Sequence, residues 1–401
     1  MSQMQQAWID FCEELKGSVD YVFADDQVTE SPIDEAEGVR HVVRSLVKAC
    51  LATFENADPR LPELAWFHPS KMGLDNPDAL YQSAPIDLVH DYEFSGNIGS
   101  VAYLGIALMS MKWGTGDFEF VRNIHVSELG ADENGNFTVT LSSQPDPGTT
   151  GRPWFQLPAK RTSLLVRQFF SDWESESLAA LSLRCLSEDP PASRITPEQL
   201  ASKLRSVAAE VNRVPPFWNS YYREHIDRGE VNSFEHIEPT PPEDVGSLGG
   251  ATDQAYAECW YDISPGQALL IEVEVPDCVY WNVQLGDIWG QSTDWVNRQS
   301  SLNAGQAVLD NGTLRVVVSE ADPGYNNWLD LGGCTQGQIL FRWNQANVIP
   351  KPVARLLAIE DLPAAMPGSE AVLTADARSA ADARSAALAR RRRAALTRFR
   401  R

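Results

Sequence analysis

The chain has 401 residues, of which 43% are hydrophobic and 9% aromatic; that is long enough for two ordinary domains and too apolar for wholesale disorder. A formal net charge of −22 argues against a phosphate backbone as main partner and predicts no nucleic-acid binding. No run of eighteen apolar residues occurs, so no membrane span or membrane partner is expected.

In chain order, Ala7, Trp8, Phe11, Cys12 and Leu15 are spaced for a helix over 3–17, with Gly17 as its stop. Residues 33–55 repeat the pattern through Val39, Val42, Val43, Leu46, Val47, Cys50, Leu51 and Phe54, with Asp34, Glu35 and Glu37 at the dipole-favoured end. Residues 1–58 therefore read as a helical cap. From 59 to 175 the period changes to two, and the segment reads as a first β-sandwich. Ser95, Gly96 and Asn97 are expected to turn between two of its strands. Asn134 and Gly135 form a hairpin signal, and RTSLLVRQFFSDW reads as a buried strand. Residues 176–255 read as a helical insert and linker. Its first helix starts at Thr196 and stops at Pro215 and Pro216; a second, aromatic helix follows and ends at Gly229. From 256 to 350 the β pattern returns as a second sandwich, with a strand from Ile271 to Tyr280 and a hairpin at Asn311 and Gly312. Residues 351–401 hold two ADARSA repeats and an Arg-rich end, and read as a helical or disordered tail without a core. The acidic body offers that basic end an internal counter-surface. The fold class expected is thus mainly β with α additions: two sandwich or jelly-roll-like units, a helical cap and a helical insert.

The six cysteines, Cys12, Cys50, Cys185, Cys259, Cys278 and Cys334, include no C-x-x-C pair. They read as reduced, buried thiols rather than a zinc site or a disulfide set. The first residues, MSQMQQAWIDFCEELKG, lack the basic and apolar runs of a signal peptide, so a cytoplasmic location is expected. There is no G-x-S-x-G, H-E-x-x-H or phosphate loop, and GSLGG at 246–250 follows no strand. No organic cofactor is therefore expected. The one metal the sequence leaves open is a hard cation such as calcium on the Asp75, Asp78 and Asp87 carboxylates, although their spacing fits no EF-hand.

The motifs YWNVQLGDIWGQSTDWVNRQSSLNAGQ and EADPGYNNWLDLGGCTQGQILFRW resemble the C-terminal domain of the bacterial family called domain of unknown function 1214. DNPDALYQSAPID and LLVRQFFSDWESE resemble the N-terminal half of its longer members. The resemblance implies β-sandwich proteins that assemble as homo-oligomers, with no assigned activity. Cys334 stands where relatives are expected to carry a His.

Alternation predicts Trp281, Val283 and Leu285 on one strand face and Asn282 and Gln284 on the other. With Trp289, Asp294, Asn303, Asn327, Trp328, Asp330, Arg342 and Arg167 they compose a substrate-binding set: flat apolar walls with a few convergent polar groups. Asp294 with Arg298, or Asp330 with Arg342, are candidate loop-fixing ion pairs. The catalytic candidates are Asp75, Asp78 and Tyr81 as acid–base groups, Asp287 and Arg298, and His225, which Arg223, Glu224 and two Tyr surround. Arg167 and Asp172 are expected to complete a pocket between the sandwiches.

The function expected is a cofactor-independent hydrolase or lyase acting on a neutral, hydrophobic small molecule, since so acidic a body disfavours anions unless local Arg residues overrule it. A carbohydrate-binding module with exposed Trp, and an oligomeric scaffold that uses the basic tail, are the alternatives.

Overall fold

The computed structural model describes residues 2–24, 31–55, 58–66, 71–112, 117–157, 162–187, 195–245 and 251–367. The GSLGG segment and the repeats and Arg-rich end of the tail lie outside these residues.

Helix α1 (Gln3–Lys16) starts at a capping box between Ser2 and Gln5. Helix α2 (Pro32–Cys50) starts where the Ser31 hydroxyl accepts the Ile33 N–H and Pro32 takes the first turn. Helix α3 (Pro197–Asp227) starts at a Thr196–Gln199 box. The three pack together through Phe11, Val42, Ala49, Val207, Ala208 and Val211. The expected break at Pro215 and Pro216 is absent: α3 is one helix of 31 residues running through both. Each internal Pro removes a main-chain donor and costs on the order of 3 kcal/mol. Burial of Val214, Trp218 and Tyr222 against Leu74, Trp260 and Leu340 offsets that cost.

Eighteen strands form four sheets among the described residues. The first sandwich joins two. One runs in the order β1 (Ala65–Trp66), β2 (Ala79–Ile86), β8 (Thr162–Phe169), β4 (Tyr103–Lys112), β5 (Asp117–Ile124). The other is β7 (Trp154–Gln156), β6 (Asn136–Ser142), β3 (Tyr92–Asn97), β9 (Ala180–Cys185). Tyr92, Phe94, Ile106, Leu108, Val139 and Val166 fill the space between them.

The second sandwich pairs β10 (Gln254–Asp262), β17 (Gln336–Asn344), β12 (Tyr280–Gly286) and β13 (Ser301–Asn303) with β14 (Leu309–Asp310), β15 (Thr313–Ser319), β11 (Gln267–Glu274) and β18 (Val353–Ala358). Strand β16 (Trp328–Asp330) adds to β15 in parallel. Trp281, Val283 and Leu285 enter this core, as alternation requires. A short helix, α4 (Pro242–Val245), precedes β10, and α5 (Leu362–Ala365) follows β18.

Four local expectations are corrected. Ser95, Gly96 and Asn97 do not turn: they lie in β3, paired with β6 and β9, and the chain turns just after, at Gly99. Residues 180–185 are not helical but form β9, an edge strand of the first sandwich beyond the boundary at 175. The stretch from Ile271 to Tyr280 is two strands from opposite sheets, broken around Pro276, which has no N–H for a ladder. The tail boundary at 351 cuts off β18, which pairs with β11; beyond it Leu362 and Met366 are buried against Leu270 and Val317. The hairpin is as expected: Asp310 pairs with Thr313 across Asn311 (φ 50°) and Gly312 (φ 86°), both left-handed as a two-residue turn needs.

Candidate functional site

The polar signature divides between two places. The first is the join between the sandwiches. Register sets Tyr256, Arg342, Asn282 and Asn303 in one row across β10, β17, β12 and β13, on the face away from the core. Residues 74–78, which lead into β2, cross that face. Arg342 donates to the Leu74 carbonyl (2.6 Å) and to the side-chain oxygens of Asn282 and Gln284. Gln284 donates to the Asp75 carbonyl (3.0 Å), and Asn282 to Asn76 Oδ1 (2.9 Å). Tyr280 donates to Asp78 (3.2 Å), which also accepts from Trp173 Nε1 (3.0 Å). Asp75 receives the N–H and hydroxyl of Ser292 (3.1 and 2.9 Å). Asn303 donates to the Phe170 carbonyl (3.1 Å). Tyr81 lies opposite Arg167 in the β2–β8 ladder, and its hydroxyl accepts the Asn76 N–H (3.2 Å). Phe169 packs on Tyr280 at 5.1 Å.

Asp75, Asp78, Tyr81, Asn282, Gln284, Asn303, Arg167 and Arg342 therefore do converge between the sandwiches. They converge as a packed weld in which Asp75, Asp78, Asn282, Gln284, Asn303 and Arg342 bond to one another, to neighbouring side chains and to main chain, while Arg167 reaches the Met109 sulfur. The backbone is shaped to allow it: Leu74 is left-handed (φ 51°), its N–H bonds the Gly290 carbonyl, and its side chain fills the space a Cβ at Gly286 would need.

The second place is a cleft of roughly 1140 Å3 between α2 and the loops at 292–298 and 331–334, with Lys71, Trp66 and Leu80 at the side of the first sandwich. Its α2 wall joins Glu37, Arg40 and Arg44 to an apolar strip open to solvent, where Val43 is 54% and Val47 48% exposed. Asp287 lies in its floor. The carboxylate accepts the N–H groups of Trp289 and Gln291 and the Gln291 side chain, each at 2.9 Å. Burial outweighs those three donors and pushes its pKa up to about 7. Arg44 reaches the same Gln291 and pairs with Glu37 (3.1 Å). Lys71 donates to the carbonyls of Ser292 and Thr293, both at 2.6 Å, and lies 5.8 Å from the Trp295 ring. Burial lowers the pKa of its ammonium, against the pull of Asp75. Cys334 also lines the cleft, and burial raises its thiol, which leaves it a poor nucleophile.

Of the predicted set, Asp287, Asp294 and Arg298 reach the cleft. The expected ion pairs are exchanged. Asp330 pairs with Arg298 (2.8 Å), not with Arg342, and Asp294 accepts from Asn297 in its own turn. Trp289 is buried and donates to the Asp34 carbonyl (2.7 Å). Asn327 staples Val308 and Arg315, and half-buried Trp328 donates to Ser319. His225 sits elsewhere, stacked on Trp260 at 3.8 Å and bonded to Glu230 (2.8 Å). Asp172 is exposed and bonds the Glu174 N–H and the Ser175 hydroxyl within its turn. Among the described residues, no three His, Cys, Asp or Glu side chains converge as a metal centre. Asp75 and Asp78 are engaged as above, and Asp87 caps the Val89 N–H. No described helix is long and apolar enough to cross a membrane.

Sequence reasoning missed Glu37, Arg44, Lys71 and Trp66. One signal was present: the apolar positions of 33–55 cover two helix faces, and Val43 and Val47 belong to the face that tertiary packing leaves open.

Fold and site together describe a mostly β protein of two sandwiches with helices over their join. Residues 231–327 match the sequence model of the protein of unknown function DUF1254. A domain of unknown function is thus supported, but the matching family is not the 1214 family that the motifs resemble. The crystal structure of an uncharacterized protein from Burkholderia cenocepacia is similar over 88% of this chain and 97% of its own, with 29% identity and a TM-score of 0.81. A Vibrio parahaemolyticus protein of known structure aligns over 79% of this chain and 96% of its own, with 13% identity and a TM-score of 0.45. No curated protein matches the chain.

Proposed function

We propose that the protein is an enzyme without organic cofactor that acts on a small, largely apolar organic molecule in the α2 cleft, by proton transfer at Asp287. The observation that carries this reading is a carboxyl with pKa about 7 in the floor of a cleft large enough for such a molecule. Near neutral pH both of its protonation states are populated, as a general acid–base group requires. Trp66, Trp295, Val43 and Val47 supply the apolar wall. The weld is set aside as machinery because its carboxylates and amides are buried and engaged with one another.

The test is a panel of aryl esters and lactones, read with the full chain. Turnover should bend near pH 7, fall about 100-fold or more in Asp287→Asn, and fall in Val47→Trp, which narrows the cleft at its apolar strip. Turnover indifferent to both substitutions would remove the proposal. For the sugar-binding alternative, Trp281 and Trp289 are buried and offer no stacking face, which leaves half-buried Trp328 and the cleft's Trp295 to carry it.

A further inference from the structure

Resting on the cleft reading but not on Asp287 chemistry, we infer that the cleft takes a carboxylate-bearing molecule. Its acid group pairs with Lys71 and its apolar body lies along Val43 and Val47.

The argument starts from unequal commitments among the cleft's cations. Arg40 and Arg44 share Glu37, and Arg298 holds Asp330. Lys71 is different. Among the described residues no carboxylate lies at ion-pair distance from it, and the nearby Asp75 has both oxygens occupied by Ser292. Two of its three N–H donors are fixed on the adjacent carbonyls of Ser292 and Thr293. The Trp295 ring, at 5.8 Å, gives a weak attraction and no neutralisation. A partly buried ammonium without a counter-ion is costly, and a third donor without a partner beside a cleft marks where an anion would be stabilised.

The chemistry narrows further. One charge awaits neutralisation, which suits a monoanion. A phosphate dianion would leave an excess negative charge beside Glu37 and Asp294. The carbonyl pair that pins the lysine also fixes its direction, so the acid group is positioned as well as attracted. The apolar strip of α2, half exposed at Val43 and Val47, gives the rest of the ligand its surface. The body's charge of −22 disfavours anions at long range, so this recognition is local and short-ranged.

The experiment titrates the full-length protein with dodecanoate, dodecanol and dodecyl phosphate, following tryptophan fluorescence and thermal midpoint. Dodecanoate should bind at least tenfold tighter than either of the others. Lys71→Met should lose that preference, Lys71→Arg should keep most of it, and Val47→Trp, which narrows the cleft, should weaken binding of all three. Circular dichroism verifies that each variant is folded; if Lys71→Met is not, Lys71→Gln takes its place. Equal affinity for acid and alcohol, with Val47→Trp still weakening both, overturns the carboxylate and leaves the cleft reading standing. Tighter binding of the phosphate overturns it in favour of a dianion. No binding to the wild type, or binding untouched by Val47→Trp, overturns the cleft itself.

Discussion

The weld and the cleft are built from the same residue types, and they differ in how their polar groups are satisfied. In the weld Arg342, buried and with no carboxylate at ion-pair distance among the described residues, places its charge on two side-chain amides and a carbonyl. Asn76, Asn282 and Gln284 then close the network. In the cleft Lys71 has a donor to spare, Asp287 carries a raised pKa, and valines face solvent. A buried polar group with all its partners fixes one structure; one with capacity left can answer to a ligand.

The largest effect expected from this contrast is on stability, in the weld. Arg342→Ala should cost about 3–5 kcal/mol, because it strips partners from two buried amides and a carbonyl, and denaturant unfolding measures it. A loss under 1 kcal/mol would mean the join is held by something else.

Next is pH. Burial raises the Asp287 carboxyl from 3.8 to about 7, so the fold favours its protonated form. The stability this contributes is complete below about pH 4 and is lost as pH rises through 7. Glu258, also raised by burial to about 7, adds a slope of the same sign. Asp287→Asn should therefore reduce the fall in stability between pH 4 and 8, by on the order of 1–3 kcal/mol, without abolishing it. An unchanged slope would show that Asp287 is not protonated in the fold.

On the other face of α2, His41 is fully buried, neither ring nitrogen has a hydrogen-bond partner, and burial drives its pKa down to about 3. Protonation opposes folding there, so the stability this group contributes is present above about pH 6.5 and is lost as pH falls toward 3. His41→Leu should raise stability by about 1–2 kcal/mol at neutral pH and remove that acid-side loss, as melting curves at two pH values would register. A destabilised variant would point to a bound partner for the ring.

The smallest effect belongs to the cleft wall. Val43→Ser should change stability by less than about 0.5 kcal/mol, because the side chain is already half exposed. It should nevertheless weaken dodecanoate, which separates a binding wall from a structural one.

Much of the fold was legible. The cap at Thr196, the left-handed pair at Asn311 and Gly312, and the alternation placing Trp281 inward and Asn282 outward are local rules that the tertiary structure keeps. The errors came where burial overrode local preference, as in α3 running through two prolines, or where an edge strand such as β9 or β18 takes its identity from a distant partner.

By itself, the sequence determined most of the elements, the two-sandwich class and the polar row on β12, because caps, turns and alternation act over a few residues. Only the tertiary structure decided that residues 74–78 cross that row and consume it, that Arg298 takes Asp330, and that Lys71 has no counter-ion among the described residues. Those outcomes depend on contacts between residues up to 268 positions apart, and no local pattern encodes which buried polar group is left an acceptor short.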